Sequence, residues 1–587
     1  MNFKWRLLIL ASGFGLFSFL IISRLFYWQI LASDELTHLA LSQQSTVLKL
    51  DAHRGEILTA DDSYLVANQP AYFAYLIRSP DNGFSNELPK KLAEILFGDI
   101  TQPATPSSQL NQADIINLTQ KAEDVLTKRL NDQNLIWIPL ARRLTEEKKQ
   151  LLTSLNLNDL YFEDQQTRFY PEASMAAQLA GFVGFDNQGN DLGYHGLEGY
   201  YQKELAGRPG IKRQEKDAFN QPILMGGFIE QNKKDGRRLK LYLNSSLQYL
   251  IEKHLEKGIE HYGASAGSVT IIDPYTGGIL AMASYPKYDP AEYYLYDKSY
   301  YLNPVVADAF EPGSIFKIFV MAAALDADSV KVDTKCDICD QPVKIDKYTI
   351  KTWDDKYNPD TNMTDIIINS DNVGMVFVSQ KIGLDNFLKY FHLFGFSQKT
   401  GIDLQDEVIP QPKPDNQWTY VDLATASFGQ GFLATGIQLL QAVSAIANGG
   451  ELIQPQVVQK VIDPDREITI PVNIKHRVIS KETSAELTEM MAAAAQKGEA
   501  KWTKVQGYSV AGKTGTAQIA VGGQYTKEKT NASFIGFAPV KNPKFAMLVT
   551  LKEPSTSQWA SETAAPLWYN IAKDLFNYYN ILPESTP

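Results

Sequence analysis

The chain has 587 residues, too many for one hydrophobic core, so two or three domains are expected. With 44% hydrophobic and 21% charged residues it has ordinary globular composition, which excludes wholesale disorder. A net charge of -11 without a long basic run argues against nucleic acid as a partner, and 2 cysteines exclude a disulfide framework.

Lys4 and Arg6 precede an apolar run from Leu7 to Ile22, and Arg24, Tyr27 and Trp28 follow it. A membrane span needs about 20 apolar residues, a length this run reaches once Trp5 and Leu25-Phe26 are counted. The basic residues ahead of it predict a cytoplasmic N-terminus, and the aromatic pair suits an interface. No small-x-small cleavage site follows directly, so an uncleaved anchor is favoured over a signal peptide. No later stretch is apolar enough to span, which puts everything after about residue 30 outside the cytoplasm.

Residues 51–68 read as strands and turns. Residues 82–166 read as mostly helical, with Leu88, Leu92 and Ile95 at helical spacing, and Leu144, Lys148 and Leu151 on a mixed face. Residues 101–108 are a loop by composition. The glycines of residues 193–200 predict tight turns and carry no chemistry by themselves. Leu239–Leu243 is an extended run and a domain boundary. A helix over residues 246–260 follows, then a hairpin of strands at 267–273 and 279–284. A last helix over Pro566–Tyr579 carries Leu567, Ile571 and Leu575 as a core stripe. Strands at 267–284 and again near 508–552, around a helical middle, predict one sheet closed by the two ends of an α+β domain. The predicted division is 1–28 for tail and anchor, 29–245 for an elongated mixed module, and 246–587 for an antiparallel sheet flanked by helices.

Glu311-Pro312-Gly313-Ser314-Ile315-Phe316-Lys317 delivers a serine through a Pro-Gly turn onto an apolar helix. Positions i and i+3 share a helix face, so the Ser314 hydroxyl and the Lys317 amine are expected to meet in dry surroundings. Such an amine acts as a base only when desolvation makes it neutral. Alone, the pattern reads far more readily as a serine N-cap beside a snorkelling lysine. Cys336 and Cys339 form C-x-x-C. A structural zinc would need two further ligands, so outside the cytoplasm a small-loop disulfide is expected, with a free thiol pair as the alternative. His53, His195 and the other histidines have no metal-ligand spacing, and neither metal nor cofactor is expected. Two more clusters follow the serine in order, Ser370-Asp371-Asn372 and Lys513-Thr514-Gly515-Thr516. Each is weak alone. Together, in this order and at domain-scale separations, S-x-x-K, S-D-N and K-T-G are the set carried by penicillin-binding proteins and class A β-lactamases.

On these motifs the chain resembles the class B penicillin-binding proteins, membrane-anchored D,D-transpeptidases of bacterial cell-wall synthesis. The resemblance extends through Arg54-Gly55, Arg168-Phe169-Tyr170-Pro171, Gly196-Leu197-Glu198, Ser427-Phe428-Gly429-Gln430-Gly431 and Ala532–Pro539. It implies a pedestal module over 29–245 and a serine β-lactamase-like transpeptidase fold over 246–587. It implies Ser314 as nucleophile toward a stem pentapeptide or a β-lactam, with Lys317 as its base. Ser370 would pass a proton to the leaving D-Ala amine, and Asn372 would bond the substrate backbone. Lys513 would supply positive charge, and Thr514 and Thr516 would bond the D-Ala carboxylate. Gly515 would let a substrate strand lie close, and the backbone N–H groups of Ser314 and Thr516 would form the oxyanion hole. Asp371 has no chemical role in this scheme, and Gln430 supports the site.

The resemblance also implies a SEDS-family glycan polymerase and other divisome or elongasome membrane proteins as partners, with the septal type favoured over the elongation type. Gly436-Ile437 departs from the family's usual Thr-Pro at what should be a helix start, and the C-x-x-C is not a general family feature. A D,D-carboxypeptidase, a β-lactamase-like hydrolase and a non-catalytic β-lactam-binding scaffold or sensor are the competing readings.

Overall fold

A computed structural model describes residues 3–37, 45–78, 84–97, 112–215, 228–521 and 524–584. The loop expected at 101–108 lies outside them. The chain divides into two compact units, Met1–Arg54 with Ala206–Gly236, and Gly55–Leu205 with Arg237–Pro587. The division does not follow the boundary expected at residue 245.

In the first unit, Phe3–Leu31 is long and apolar enough to cross a membrane. Arg24 lies 4.7 Å from the Trp28 ring centroid, a cation–π contact at the end of the apolar run. The strands Ser45–Leu50, Gly210–Glu215 and Phe228–Gln231 form an antiparallel sheet.

The second unit opens with β1 (Ile57–Leu58) and β2 (Tyr64–Ile77), then α1 (Leu88–Phe97) and α2 (Gln112–Asn131). Next come β3 (Trp137–Leu144), α3 (Glu146–Thr153) and β4 (Leu160–Phe169). The mostly helical reading of residues 82–166 is therefore corrected by two strands. Leu144 ends β3 instead of opening a helix, and Leu152, not Leu151, faces the core. The polar composition of β4 hid it. Its strand character comes from ten paired positions along β2 and not from a buried face of its own.

β5 (Arg238–Leu241) pairs in parallel with β1 and antiparallel with β8 (Val458–Asp463), which continues to β9 (Arg466–Thr469). One sheet thus joins residues 57–77 to residues 458–469, which is why no compact boundary falls at 245. α4 (Ser245–Tyr262) leads into a five-stranded antiparallel sheet of β6 (Ala266–Ile272), β7 (Ile279–Tyr285), β10 (Ala511–Val521), β11 (Gln524–Ala538) and β12 (Phe545–Lys552). Its order, β7-β6-β12-β11-β10, places the two ends of the region side by side, as the sequence predicted. α4 and the last helix, α10 (Ala564–Tyr578), pack on one face through Leu247, Ile251, Leu567 and Ile571. α5 (Lys317–Asp326) and α8 (Gly436–Ala447) belong to the core on the other. α5 is apolar on all sides, and every residue from Lys317 to Leu325 is buried. Between them lie α6 (Met363–Ile368) and α7 (Asn372–Leu393), and α9 (Lys481–Lys497) precedes β10. Gly436 opens α8 behind a Thr435 capping box, so the Gly436-Ile437 departure sits at a helix start as expected.

Several motif residues meet in one buried ion pair. Arg168 Nε donates to Glu198 Oε1 at 2.7 Å, with side chains 5% and 0% exposed. The same guanidinium donates to Gly55 O and to Asn68 Oδ1, each at 2.7 Å. A Cβ on Gly55 would stand 1.8 Å from Arg237 O, so only glycine fits there. One side chain therefore ties β4, β2, the segment before β1 and the Gly196–Tyr200 helix together. Arg168→Ala removes the guanidinium that Glu198 is paired with in the interior. The expected loss is about 3–5 kcal/mol, read as a lower midpoint of denaturant unfolding. Arg168→Lys recovers only part, since an ammonium cannot present the same planar fork.

Candidate active site

Ser314 stands in a 3₁₀ turn, Gly313–Phe316, that runs straight into α5. Gly313 adopts a left-handed φ of +58°, and its N–H donates to Gly429 O at 3.0 Å. Gly431 N donates to Glu311 Oε1 at 2.9 Å, so the 427–431 loop holds the start of the turn at two points. A Cβ on Gly429 would fall 2.0 Å from Gly313 O. The glycine neighbours of Gln430 hold the turn, and the Gln430 backbone N–H, within the same loop, donates to Thr425 O at 3.1 Å. A Cβ on Gly313 would meet Thr516 O at 3.1 Å, which sets the serine turn directly against the Lys513–Thr516 segment.

Lys317 is fully buried. Its ammonium donates to Ser370 O at 2.6 Å, Asn372 Oδ1 at 2.7 Å and Ser370 Oγ at 3.2 Å, and not to Ser314. The structure thus brings Lys317 to the second motif, where the sequence had paired it with the first. Burial, with the Lys513 charge adding to it, pushes the Lys317 amine down from 10.5 to about 7.

Ser370 has a left-handed φ of 54°, a strained conformation for a serine, in the turn between α6 and α7. Asp371 makes the turn possible. Its carboxylate accepts from Val373 N at 2.8 Å and Gly374 N at 3.1 Å as the N-cap of α7, and burial raises its pKa. Asn372 Nδ2 donates to Lys351 O at 3.2 Å, which fixes the amide so that its oxygen faces Lys317.

Lys513, also buried, donates to the same Ser370 Oγ at 3.0 Å and to Thr514 Oγ1 at 3.1 Å. Burial lowers its pKa as well, opposed by the charge of Glu499. Thr514 Oγ1 donates to Glu499 Oε2 at 3.2 Å, so this hydroxyl already has a carboxylate partner within the protein. Thr516 Oγ1 accepts from Ala560 N at 3.0 Å, which leaves its own hydrogen to donate. Gly515 also has a packing reason to lack a side chain. A Cβ there would stand 2.6 Å from Ile315 Cγ1, so the missing side chain lets the residue after Ser314 pack under the strand.

Sequence reasoning missed Glu499, a single carboxylate in an unremarkable Gly498-Glu499-Ala500 stretch. It also missed Trp353 and Trp559, which are exposed with ring centroids 5.6 Å apart. Trp353 Nε1 donates to Asn369 O at 3.3 Å, and Trp559 precedes the Ala560 N–H that holds Thr516. No periodicity or motif marks either residue. Cys336 and Cys339 are joined in a disulfide. His53 bonds Lys233 and Asp235, and His195 bonds Asp406. Among the described residues no group of His, Cys, Asp and Glu is arranged to hold a metal ion.

A serine turn with two buried lysines meeting on a second serine is an acyl-transfer arrangement. Residues 267–575 match the penicillin binding protein transpeptidase domain, and residues 49–241 match the penicillin-binding protein dimerisation domain. Stage V sporulation protein D of Bacillus subtilis is 32% identical over 585 residues, 98% of this chain and 86% of that protein. This chain belongs to the penicillin-binding proteins. Its pairing of a dimerisation with a transpeptidase domain is that of class B. A probable peptidoglycan D,D-transpeptidase PenA of Neisseria meningitidis is 29% identical over 469 residues, 78% of this chain and 77% of that one. The crystal structure of penicillin binding protein 3 from Mycobacterium tuberculosis, complexed with aztreonam, matches in fold. Its TM-score is 0.68 at 23% identity, covering 92% of this chain and 99% of that one.

In this penicillin-binding protein the serine turn depends on Gly429 having no side chain. Gly429→Ala must push Gly313 away or flip its own φ of +81°. Displacing a reacting group by about 1 Å costs about 10²-fold in rate. Reactivity of Ser314 toward a serine-acylating probe is expected to fall by that order, with α5 still protected in hydrogen exchange.

Proposed function

We propose that this chain is a peptidoglycan D,D-transpeptidase that cross-links stem peptides through a Ser314 acyl-enzyme and is a target of β-lactams. The observation that carries the reading is the meeting of Lys317 and Lys513 on Ser370 Oγ beside the Ser314 turn. Ser314 Oγ attacks the carbonyl carbon of the penultimate D-Ala, and its proton passes to neutral Lys317 Nζ. The backbone N–H groups of Ser314 and Thr516 receive the oxyanion, each such donor being worth about 3 kcal/mol. The peptide C–N bond breaks, and the leaving D-Ala amine takes a proton through Ser370. The side-chain amine of a neighbouring stem peptide then attacks the ester, gives up a proton, and frees Ser314. Asn372 holds the substrate backbone, while Lys513 and the Thr516 hydroxyl hold the terminal carboxylate. Thr514, bonded to Glu499, acts there by orienting Lys513.

The Phe3–Leu31 helix serves as a single-pass anchor in the bacterial cytoplasmic membrane, with residues beyond it outside the cytoplasm. Residues 1–28, 29–245 and 246–587 are read as anchor, pedestal and catalytic module. The anchor and pedestal dock a SEDS-family glycan polymerase among the division proteins, because this chain carries no glycosyltransferase motif of its own. Cross-linking and mass spectrometry of the native membrane complex tests that partner, and recovery of elongation proteins alone would reassign it.

Labelled penicillin should form a stable adduct on the wild-type chain and none on Ser314→Ala. Lys317→Ala should slow adduct formation by about 10²–10⁴-fold. Rapid release of the label would instead make water the acceptor and the chain a hydrolase. The rate should also report the protonation of Lys317. The amine is a base only when neutral, so on the acid side the acylation rate should rise about tenfold per pH unit until it levels off near pH 7.

A further inference from the structure

A carboxylate stands at one end of the row of groups that links the two amines. Glu499 Oε2 accepts from Thr514 Oγ1 at 3.2 Å. The same hydroxyl oxygen accepts from Lys513 Nζ at 3.1 Å. Lys513 Nζ reaches Ser370 Oγ at 3.0 Å, and Lys317 Nζ reaches that oxygen at 3.2 Å. A single file therefore runs Glu499, Thr514, Lys513, Ser370, Lys317. We infer that Glu499 is a positioning residue that keeps the one proton shared by the two buried amines on Lys513, leaving Lys317 neutral to accept the proton of Ser314.

The argument is electrostatic. Two ammonium groups on one hydroxyl in a dry setting repel strongly, so around neutral pH the pair settles on a single charge. That charge is most stable where the nearest carboxylate is. The Glu499 charge favours the protonated form of both amines, but it is one hydroxyl away from Lys513 and three groups away from Lys317. On the other side stand Asp371 and, beyond it, Asp354. Asp371 already accepts the Val373 and Gly374 N–H groups as the cap of α7, and burial raises its pKa. The remaining polar partners of the two amines, Ser370 O and Asn372 Oδ1 on Lys317 and Thr514 O on Lys513, are uncharged, so the carboxylate nearest the row, Glu499, sets the asymmetry. A purely structural Glu499 would anchor Thr514 without biasing the proton.

The inference rests on Ser314 being the acylated nucleophile, and the pH profile separates the two claims. Acylation of the full-length, detergent-solubilised chain by fluorescent penicillin is followed between about pH 5.5 and 10, where a bell is expected. Its alkaline limb is the loss of the Lys513 proton. Glu499→Gln keeps an acceptor for Thr514 but removes the charge, so the alkaline limb should move down by about one pH unit, a rate loss of about tenfold on that limb. Glu499→Asp, which restores the charge, should return the limb toward the wild-type position. Glu499→Thr is a second neutral variant for the case in which Gln packs poorly, and should show the same shift. An unmoved limb in the folded neutral variants overturns the inference, as does a uniform loss of rate at every pH, which would mark a packing role. A wild-type chain that takes no label at any pH overturns the reading of Ser314 and this inference with it.

Discussion

The site depends on one unfavourable act, the burial of two lysine amines against a single serine hydroxyl. Carrying the Lys317 amine from 10.5 to about 7 corresponds to roughly 5 kcal/mol at neutral pH. The unfolded chain binds the proton that the folded chain gives up. The cost is therefore fully present below about pH 7 and fades as pH rises toward 10.5, so this group makes the fold more stable at higher pH across that window. Packing must supply the difference. α5 does so by burying apolar side chains on every side, from Ile318 to Leu325, so that the helix carrying the amine has no surface on which to relax. Three acceptors on Lys317 keep the amine from being an unsatisfied donor, which would cost more still.

Holding the amines dry beside a reactive Ser314 requires tight contact behind the serine and a strand edge beside it. The glycines provide the first. Gly429 backs onto Gly313, Gly313 onto Thr516, and Gly515 onto Ile315, so that three segments far apart in sequence touch through backbone and one aliphatic side chain. Larger residues at these positions would separate the serine turn from β10 by the width of a methyl group. β10 provides the second. It is the last strand of its sheet and, among the described residues, pairs with β11 alone, which is the kind of edge an extended peptide can add to.

The three motifs were legible in the sequence because each is a short run whose residue types are rare in combination, and their order carries across distance. The closure of the sheet was legible because strand-like runs stood at both ends of the region. What was not legible had no local signal. β4 is a polar strand that exists because β2 pairs with it, and the shared sheet of β5 with β8 joins residues that no pattern connects. The partners of Lys317 were misassigned for a related reason. Helical spacing put Ser314 and Lys317 on one face, but a long amine reaches past its own helix to the best acceptors available, and these sit in the strained turn at Ser370.

That strained turn explains why the middle residue of the second motif is an acid although it does no chemistry. Ser370 sits at a φ that costs on the order of 1–3 kcal/mol for a non-glycine residue. The next residue must begin a helix at once, and an aspartate at the N-cap contributes about 1 kcal/mol by accepting two otherwise unpaired N–H groups. The cap therefore offsets much of the strain that turns Ser370 O and Oγ toward Lys317. The same geometry limits the charge the cap can lend to Lys317, since its oxygen is spent on backbone donors. Conformation and electrostatics thus divide between two acids. Asp371 shapes the turn, and the charge that sets the proton's place comes from the opposite end of the row.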